Sequence, residues 1–367
     1  MSHDPDTSPL APPVVAAGAG PSNPYASPAE SLPTPFSQPN VPPSTGLETR
    51  KAGPGILIAI LWLIGLFNAQ VALTAGAAVV LILTSGGGAG GVDLEALESS
   101  AWGGLALLAA SQFATAGVAL TAAAVHCRRD FVGRLQLQLP SARHWLFALM
   151  GVIPVSILAS EAAAIIGQFD GFSLRFLADS MEKINAVPLA GVLLFACVFP
   201  GLFEELLFRG VIGGGLVQRH GLAFGIAATS LFFGLVHLLP AHIVSAAVIG
   251  VFLHLAFVYS RSFWIPVTMH LVNNTLAFVL GRYENLLPIE GYTKHFEEGR
   301  LIHVPAPLLA CGALAAAWLF LCWRSFRAPE GAGDAPAGGK GRWIYLAGLL
   351  ITQGLLMGVM AASVEPR

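Results

Sequence analysis

The chain has 367 residues, of which 55% are hydrophobic and only 11% charged, and its formal net charge is −2. Soluble domains carry about 25% charged residues, so this composition excludes an ordinary soluble protein. The basic residues are scattered without a cluster, which also excludes a nucleic-acid-binding protein. Apolar runs recur from Gly55 onward, and each is long enough to cross ~30 Å of hydrocarbon. The sequence therefore predicts an all-α, polytopic membrane protein.

Residues 1–53 differ in composition from the rest of the chain. Proline, serine and alanine dominate this segment, as in the run from Ser31 to Pro39. Such a segment buries too little apolar surface to offset its conformational entropy. We therefore predict a disordered tail that precedes the membrane-spanning part.

Nine candidate spans follow the tail, and we expect a transmembrane helical bundle with about eight to nine spans. They run approximately over residues 55–84, 101–126, 144–168, 187–219, 222–240, 242–260, 263–281, 304–324 and 342–363. We divide them into N-terminal helices (54–168), a central part (187–281) and C-terminal helices (304–363). In the long fourth span, Pro200 predicts a kink and Gly213 to Gly215 predict a loosened later part.

The charges of the loops predict the orientation of the chain. Loops containing Arg50, Arg128 and Arg324 fall on the side of the N-terminus, and the acid-rich stretch from Glu284 to Glu298 falls on the other. Cytoplasmic loops carry an excess of lysine and arginine. We therefore expect a multi-pass protein of the cell inner (plasma) membrane with a cytoplasmic N-terminus.

The fourth span contains three charges, Glu204, Glu205 and Arg209, in an otherwise apolar helix. Each charge costs roughly 2.5–3.5 kcal/mol at the bilayer centre on insertion scales, so an intramembrane charge indicates a functional site. Glu205 and Arg209 are four residues apart and form a favourable pair on one helix face. Glu204 lies about 100° round the helix and remains available for general acid or base chemistry.

Two further polar clusters follow in later spans. His237 ends the run Phe233-Gly-Leu-Val-His, and His270 and Asn274 share a helix face. Alone, each is more typical of packing or of an interhelical hydrogen bond. Together with the carboxylates they indicate a site. However, a rise of 1.5 Å per residue in straight helices would place His270 and Glu204 at depths in the membrane that differ by ~10 Å. The helices that carry these residues would have to tilt, kink or project into the cytoplasm for the two side chains to reach the same depth.

The ordered motifs Glu-Glu-x-x-x-Arg, Phe-x-x-x-His and His-x-x-x-Asn resemble the CAAX-processing and bacteriocin-immunity (CPBP, or Abi) family of intramembrane endopeptidases. The resemblance covers roughly residues 187–281, and all motif positions are filled. It implies that Glu204 is the general base that activates a water and that His237 helps to hold and orient this water.

The same resemblance implies a structural pair between Glu205 and Arg209, and hydrogen bonds from His270 and Asn274 to the oxyanion of the tetrahedral intermediate. The implied reaction is hydrolysis of a peptide bond in a membrane-anchored protein tail or small peptide. Prenylated CAAX tails are the substrate of the eukaryotic family members. A bacterial enzyme would instead trim sorting signals, lipoprotein-like tails or peptide pheromones.

A metal cofactor remains an alternative at this stage. Zinc would be bound by Glu204, His237 and His270. However, the chain has no HExxH or other contiguous zinc signature, and Arg209 would oppose a cation. The sequence therefore favours a mechanism without a metal or other cofactor.

Two other functions remain open. One is a non-enzymatic immunity or scaffold protein with the same fold, and the other is a proton-coupled transporter with Glu204 and His237 as the relay. A transporter would be supported by inverted repeats, and none is visible. Of the remaining polar residues, Glu161 could line the same cavity, whereas His242 and His254 are more typical of packing.

Overall fold

The structure, a computed structural model, describes residues 53–84, 100–127, 131–140, 142–167, 169–283, 312–318 and 320. All regular secondary structure in these ranges is helical, which confirms the all-α prediction. They belong to one unit that spans Val41–Arg367. The predicted tail, apart from its last residue, and the predicted span over 342–363 lie outside the described residues, as does most of the span over 304–324.

We number the helices of the described residues in chain order. They are α1 (Ile56–Thr84), α2 (Ala101–His126), α3 (Phe131–Leu135), α4 (Ala142–Gly167), α5 (Gly171–Ala186), α6 (Leu189–His220), α7 (Leu222–Leu235), α8 (Pro240–Ser260) and α9 (Trp264–Arg282). Residues 312–318 are also helical.

Five of these helices are long and apolar enough to cross a membrane: α1, α2, α4 from His144 onward, α6 and α8. Helix α7 is apolar but shorter. Large apolar side chains such as Leu57, Leu83 and Trp102 are exposed, as expected where helices face lipid. The chain is therefore a multi-pass membrane protein, and the total of eight or nine spans stays a prediction.

Helix α6 lies at the centre of the packing. It contacts α2, α7 and α9, while α8 packs along both α4 and α7. Its segment from Glu205 to Gly213 is buried throughout, and Leu207, Phe208 and Ile212 are 0% exposed. The charged residues of α6 therefore lie in the best-packed part of the molecule.

Much of α6 is π-helical, over Leu193–Val198, Pro200–Glu204 and Leu206–Gly213. The wider hydrogen bonding is visible where the N–H of Phe199 donates to the carbonyl of Leu194, five residues earlier. A helix can continue through proline where the hydrogen-bonding register changes, because proline supplies no N–H. Such π segments are frequent at functional sites.

Individual residues with special backbone properties set the ends of α6 and of the helices that follow it. Gly221 has φ +84°, a conformation that glycine adopts without steric cost, and it separates α6 from α7. Pro240 opens α8, where its missing N–H costs nothing. Arg261, with φ 50°, ends the same helix. The resulting α6–α7 and α8–α9 connections are short, so the motif-bearing helices lie beside one another.

The glycines of α6 permit close packing, which is a different role from the loosening predicted from the sequence. A Cβ at position 213 would lie 2.5 Å from the His254 ring, and one at position 215 would lie 2.4 Å from the Pro54 carbonyl oxygen. At the same place, the Gly53 N–H donates to Gln218 Oε1 over 3.2 Å. Small residues here let other chain segments approach the α6 backbone.

Gly225 makes the tightest approach between α6 and α7, because a Cβ there would lie 2.6 Å from the backbone nitrogen of Val217. We expect Gly225→Ala to lower the free energy of unfolding by about 1–3 kcal/mol through overpacking. Gly117→Ala is the matched control, since a Cβ at that helical position meets nothing within 4 Å. Thermal unfolding in detergent micelles tests this, and equal midpoints for the two variants would contradict the steric argument.

Candidate active site

The buried ion pair of α6 anchors the site. Arg209 Nη1 donates to Glu205 Oε1 over 2.7 Å, and both side chains are 0% exposed. The guanidinium also donates from Nη2 to the Gly250 carbonyl oxygen over 3.2 Å and lies 4.4 Å from the centre of the Phe233 ring. These contacts tie α6 to α8 and α7, as expected for a buried arginine that must satisfy several donors at once.

His270, on α9, joins the two carboxylates of α6. Its Nδ1 lies 2.8 Å from Glu205 Oε1, the same oxygen that Arg209 uses. Its Nε2 lies 3.9 Å from Glu204 Oε2. Since a carboxylate only accepts, the Nδ1 hydrogen of His270 is committed to Glu205 and its Nε2 is directed toward Glu204.

Glu204 is the acid of this group that reaches the cavity. Its side chain is 13% exposed, whereas that of Glu205 is fully buried. The buried Oε2 of Glu204 accepts no hydrogen bond from the described residues. Glu204 is therefore the carboxylate of this pair that lines the cavity.

His237 lies just beyond the end of α7, and its ring meets that of Phe233 edge-on with the centres 5.3 Å apart. Its Nδ1 lies 2.9 Å from the Phe233 carbonyl oxygen, which can only accept. The Nδ1 therefore carries the hydrogen, and the Nε2 of the neutral ring presents a lone pair. The ring also meets that of His242 edge-on, with their centres 4.3 Å apart.

Asn274 lies one turn beyond His270 on α9 and is tied to the π-helical part of α6. Its Nδ2 donates to the Ala196 carbonyl oxygen over 3.1 Å. Its Oδ1 accepts from Nδ2 of Asn273 over 3.3 Å, and Asn273 Oδ1 accepts in turn from Ser156 Oγ over 2.6 Å. A row of polar side chains thus runs from α4 to α6 through α9.

One cavity of about 630 Å³ brings these residues together. Glu204, His237, His270 and Asn274 all line it, whereas Glu205 and Arg209 lie behind its wall. The other polar residues of the lining are Gln70, Gln112, Ser156, Ser160, Ser180, His242, Ser245 and Asn273. Apolar side chains such as Leu66, Phe176, Met181 and Phe278 complete the wall. Its volume lies within the usual range of ligand cavities.

The structure thus brings the six predicted site residues together, and it adds three that the sequence analysis missed. His242, expected to pack, does pack against His237 but also lines the cavity, and Ser156 and Asn273 line it as well. Glu161 is buried but is not part of this lining. His254 is buried against Gly213, as a packing role predicts.

The residues that could hold a metal are those named from the sequence: Glu204, His237 and His270. The Nδ1 atoms of both histidines are engaged by Phe233 and Glu205, which leaves one Nε2 on each ring. Within the described part of the chain, no group of three or more His, Cys, Asp or Glu side chains is arranged to hold a metal ion.

The fold and the site define a class of protein: a multi-pass, all-α membrane protein with a glutamate, two histidines and an asparagine around one cavity. Residues 186–276 match a family model described as type II CAAX prenyl endopeptidase Rce1-like. This segment is thus similar to the CPBP family of CAAX-type membrane proteases, which confirms the resemblance noted from its motifs.

A relative among the curated proteins comes from Bacillus subtilis (strain 168) and carries the name "Putative membrane peptidase YdiL". The two proteins are 29% identical over 114 residues, which is 30% of this chain and 43% of the relative. The chain thus matches less than half of that relative's length. No solved structure matches the chain.

Proposed function

We propose that the protein is an intramembrane endopeptidase that hydrolyses a peptide bond with a water activated by Glu204. The observation that carries this proposal is the position of the Glu204 side chain, which is 13% exposed and lines the cavity together with His237 and His270. A general base must reach the proton that it removes, and a water in this cavity would meet that condition. The match of residues 186–276 to a membrane protease family supports the same reaction.

In the proposed mechanism, Glu204 removes a proton from the water while the Nε2 lone pair of His237 accepts the second hydrogen bond and orients it. The resulting hydroxide attacks the substrate carbonyl carbon and forms a tetrahedral intermediate. The proton held by Glu204 then passes to the leaving nitrogen as the C–N bond breaks. Water is consumed, and a carboxylic acid and an amine are released, so the step needs no other reactant.

The proposed oxyanion donors are His270 and Asn274, and the geometry sets a condition on the first. Because the Nδ1 hydrogen of His270 is given to Glu205, its Nε2 can donate only when the ring is an imidazolium.

We further propose that residues 187–281 form the catalytic core, flanked by N-terminal helices over 54–168 and C-terminal helices over 304–363. The cavity also involves residues before this core, because Gln70, Gln112 and Ser156 line it. The proposed substrate is a membrane-anchored protein tail or peptide that reaches the cavity from the bilayer. We propose the plasma membrane as the location, with a cytoplasmic N-terminus.

Proteomics of C-terminally membrane-anchored proteins, in cells with the wild type or Glu204→Gln at matched levels, tests the function. An uncleaved precursor that accumulates only with the variant is the expected result and identifies the substrate. A transporter would instead lose solute flux, and a scaffold would keep its partner after the substitution. Either outcome, without a precursor, would overturn the proposal.

The proposed chemistry uses no metal, so we expect hydrolysis by the purified protein to be unchanged after treatment with a chelator. The proton acceptor and the oxyanion donors of the mechanism are all side chains, which a chelator does not remove. Zinc content by elemental analysis and activity after dialysis against the chelator provide the measurement. Activity that disappears and returns with added zinc would instead favour Glu204, His237 and His270 as metal ligands.

A further inference from the structure

Asn274 is held by two side chains that the proposed reaction does not itself use. Asn273 donates to the Asn274 carboxamide oxygen over 3.3 Å, and Ser156 lies 2.6 Å from the Asn273 carboxamide oxygen. The far end of the row is fixed by the Ala196 carbonyl oxygen, 3.1 Å from Asn274 Nδ2. We name Ser156, Asn273 and Asn274 together the amide relay.

The direction of the amide relay follows from its last acceptor. The carbonyl of Ala196 can only accept, so Asn274 must present its NH₂ group there and its oxygen to Asn273. Asn273 must then direct its NH₂ group to Asn274 and its oxygen to Ser156. A carboxamide oxygen also only accepts, so the Ser156 hydroxyl must donate to it, although the Val152 carbonyl oxygen competes at 2.8 Å. Every orientation in the row is therefore determined.

The consequence concerns the second N–H of Asn274. One hydrogen of the Asn274 NH₂ group is donated to the Ala196 carbonyl oxygen, and the Asn274 carboxamide oxygen accepts from Asn273. Asn274 lines the cavity, so its second N–H is the group that can donate to a ligand there. A flipped carboxamide would offer an oxygen in place of this donor, and that oxygen would repel the oxyanion of the intermediate. Preorganised donors stabilise a transition state because no reorientation is needed during the reaction.

We infer that Ser156 and Asn273 are positioning residues that keep the donor side of Asn274 toward the oxyanion. This inference rests on the proposed function, since it needs an oxyanion to form in the cavity. Ser156 lies on α4, outside the segment that matches the family model, so the inference assigns the N-terminal helices a part in the reaction.

The test uses the full-length protein in detergent micelles and an internally quenched peptide that spans the cleaved tail of the precursor found with Glu204→Gln. We expect Ser156→Ala to lower kcat by roughly 10–100-fold with little change in KM, because losing a complete oxyanion donor costs ~10²–10³-fold. Asn273→Asp, which keeps the side-chain shape but removes the donor to Asn274, is expected to act in the same direction.

A double-mutant cycle separates positioning from a general effect on folding. In an Asn274→Ala background, Ser156→Ala is expected to have no further effect on the single-turnover rate, because the group that it positions is already gone. Thr268→Ala is the matched control: its hydroxyl, also on α9, donates only to the Trp264 carbonyl oxygen. We expect that variant to retain the wild-type kcat, and thermal unfolding of all variants checks that they are folded.

The possible failures are distinguishable. A folded Ser156→Ala variant with unchanged kcat, or equal losses in the presence and absence of Asn274, would overturn the amide relay while the Glu204-dependent hydrolysis stands. Hydrolysis that survives Glu204→Gln would overturn the proposed function itself, whatever the relay variants do.

Discussion

Replacing Glu204 with glutamine is expected to lower the rate of peptide hydrolysis by about 10²–10⁴-fold, the usual contribution of a general base. Glutamine has nearly the same shape but cannot take a proton from water. The substitution also removes no hydrogen bond at Oε2, because that atom accepts none from the described residues. We therefore expect an unchanged thermal unfolding midpoint together with a nearly complete loss of kcat, measured with the quenched tail peptide.

Glu161→Gln is the matched control for this experiment. Glu161, on α4, is a glutamate that is only 2% exposed and does not line the cavity. Its substitution tests whether removing any buried carboxylate inactivates the protein. We expect hydrolysis to continue in the Glu161→Gln variant, and equal inactivation of the two variants would argue against a specific role for Glu204.

Replacing Arg209 with methionine is expected to lower the free energy of unfolding by about 3–5 kcal/mol, the usual cost of breaking a buried ion pair by removing one partner. The variant leaves Glu205 in a fully buried position, where His270 is the one donor that remains among the described residues. It also removes the hydrogen bond to Gly250 and the contact with the Phe233 ring. Denaturant unfolding in mixed micelles provides the measurement.

The double variant Glu205→Gln, Arg209→Met tests whether the unpaired charge of Glu205 causes the lower free energy of unfolding. Removing both charges is expected to recover part of the stability, because no unpaired buried charge remains. Activity is not expected to return, since His270 loses the anionic acceptor at its Nδ1. An Arg209→Met variant as stable as the wild type would show that the pair contributes nothing to the fold.

The helical membrane fold was predictable because its signal is local. Apolar runs of sufficient length predict spans, and the structure forms helices over α1, α2, α4, α6 and α8 as expected. The i, i+4 spacing also predicted the pairing of Glu205 with Arg209, which the structure confirms at 2.7 Å. Both inferences need only the geometry of a single helix.

The remaining parts of the site depend on contacts between helices, which no single-helix pattern contains. Straight-helix arithmetic left His270 offset from Glu204 by ~10 Å, whereas the structure places their side-chain atoms 3.9 Å apart. Ser156 and Asn273 are 117 residues apart, and their hydrogen bond arises only when α4 packs against α9. The sequence predicts only a packing role for His242, because no motif around that residue indicates a contact with His237.

The sharing of one oxygen by two donors also limits how this chain can change. Glu205 Oε1 accepts from both Arg209 and His270, so one atom serves the architecture of the bundle and the chemistry of the cavity. A substitution at position 205 therefore affects both properties in a single step, and neither donor can be exchanged without altering the environment of the other. Mutational routes through this triad are consequently expected to need several simultaneous changes, which makes it an epistatic bottleneck for laboratory evolution of the protein.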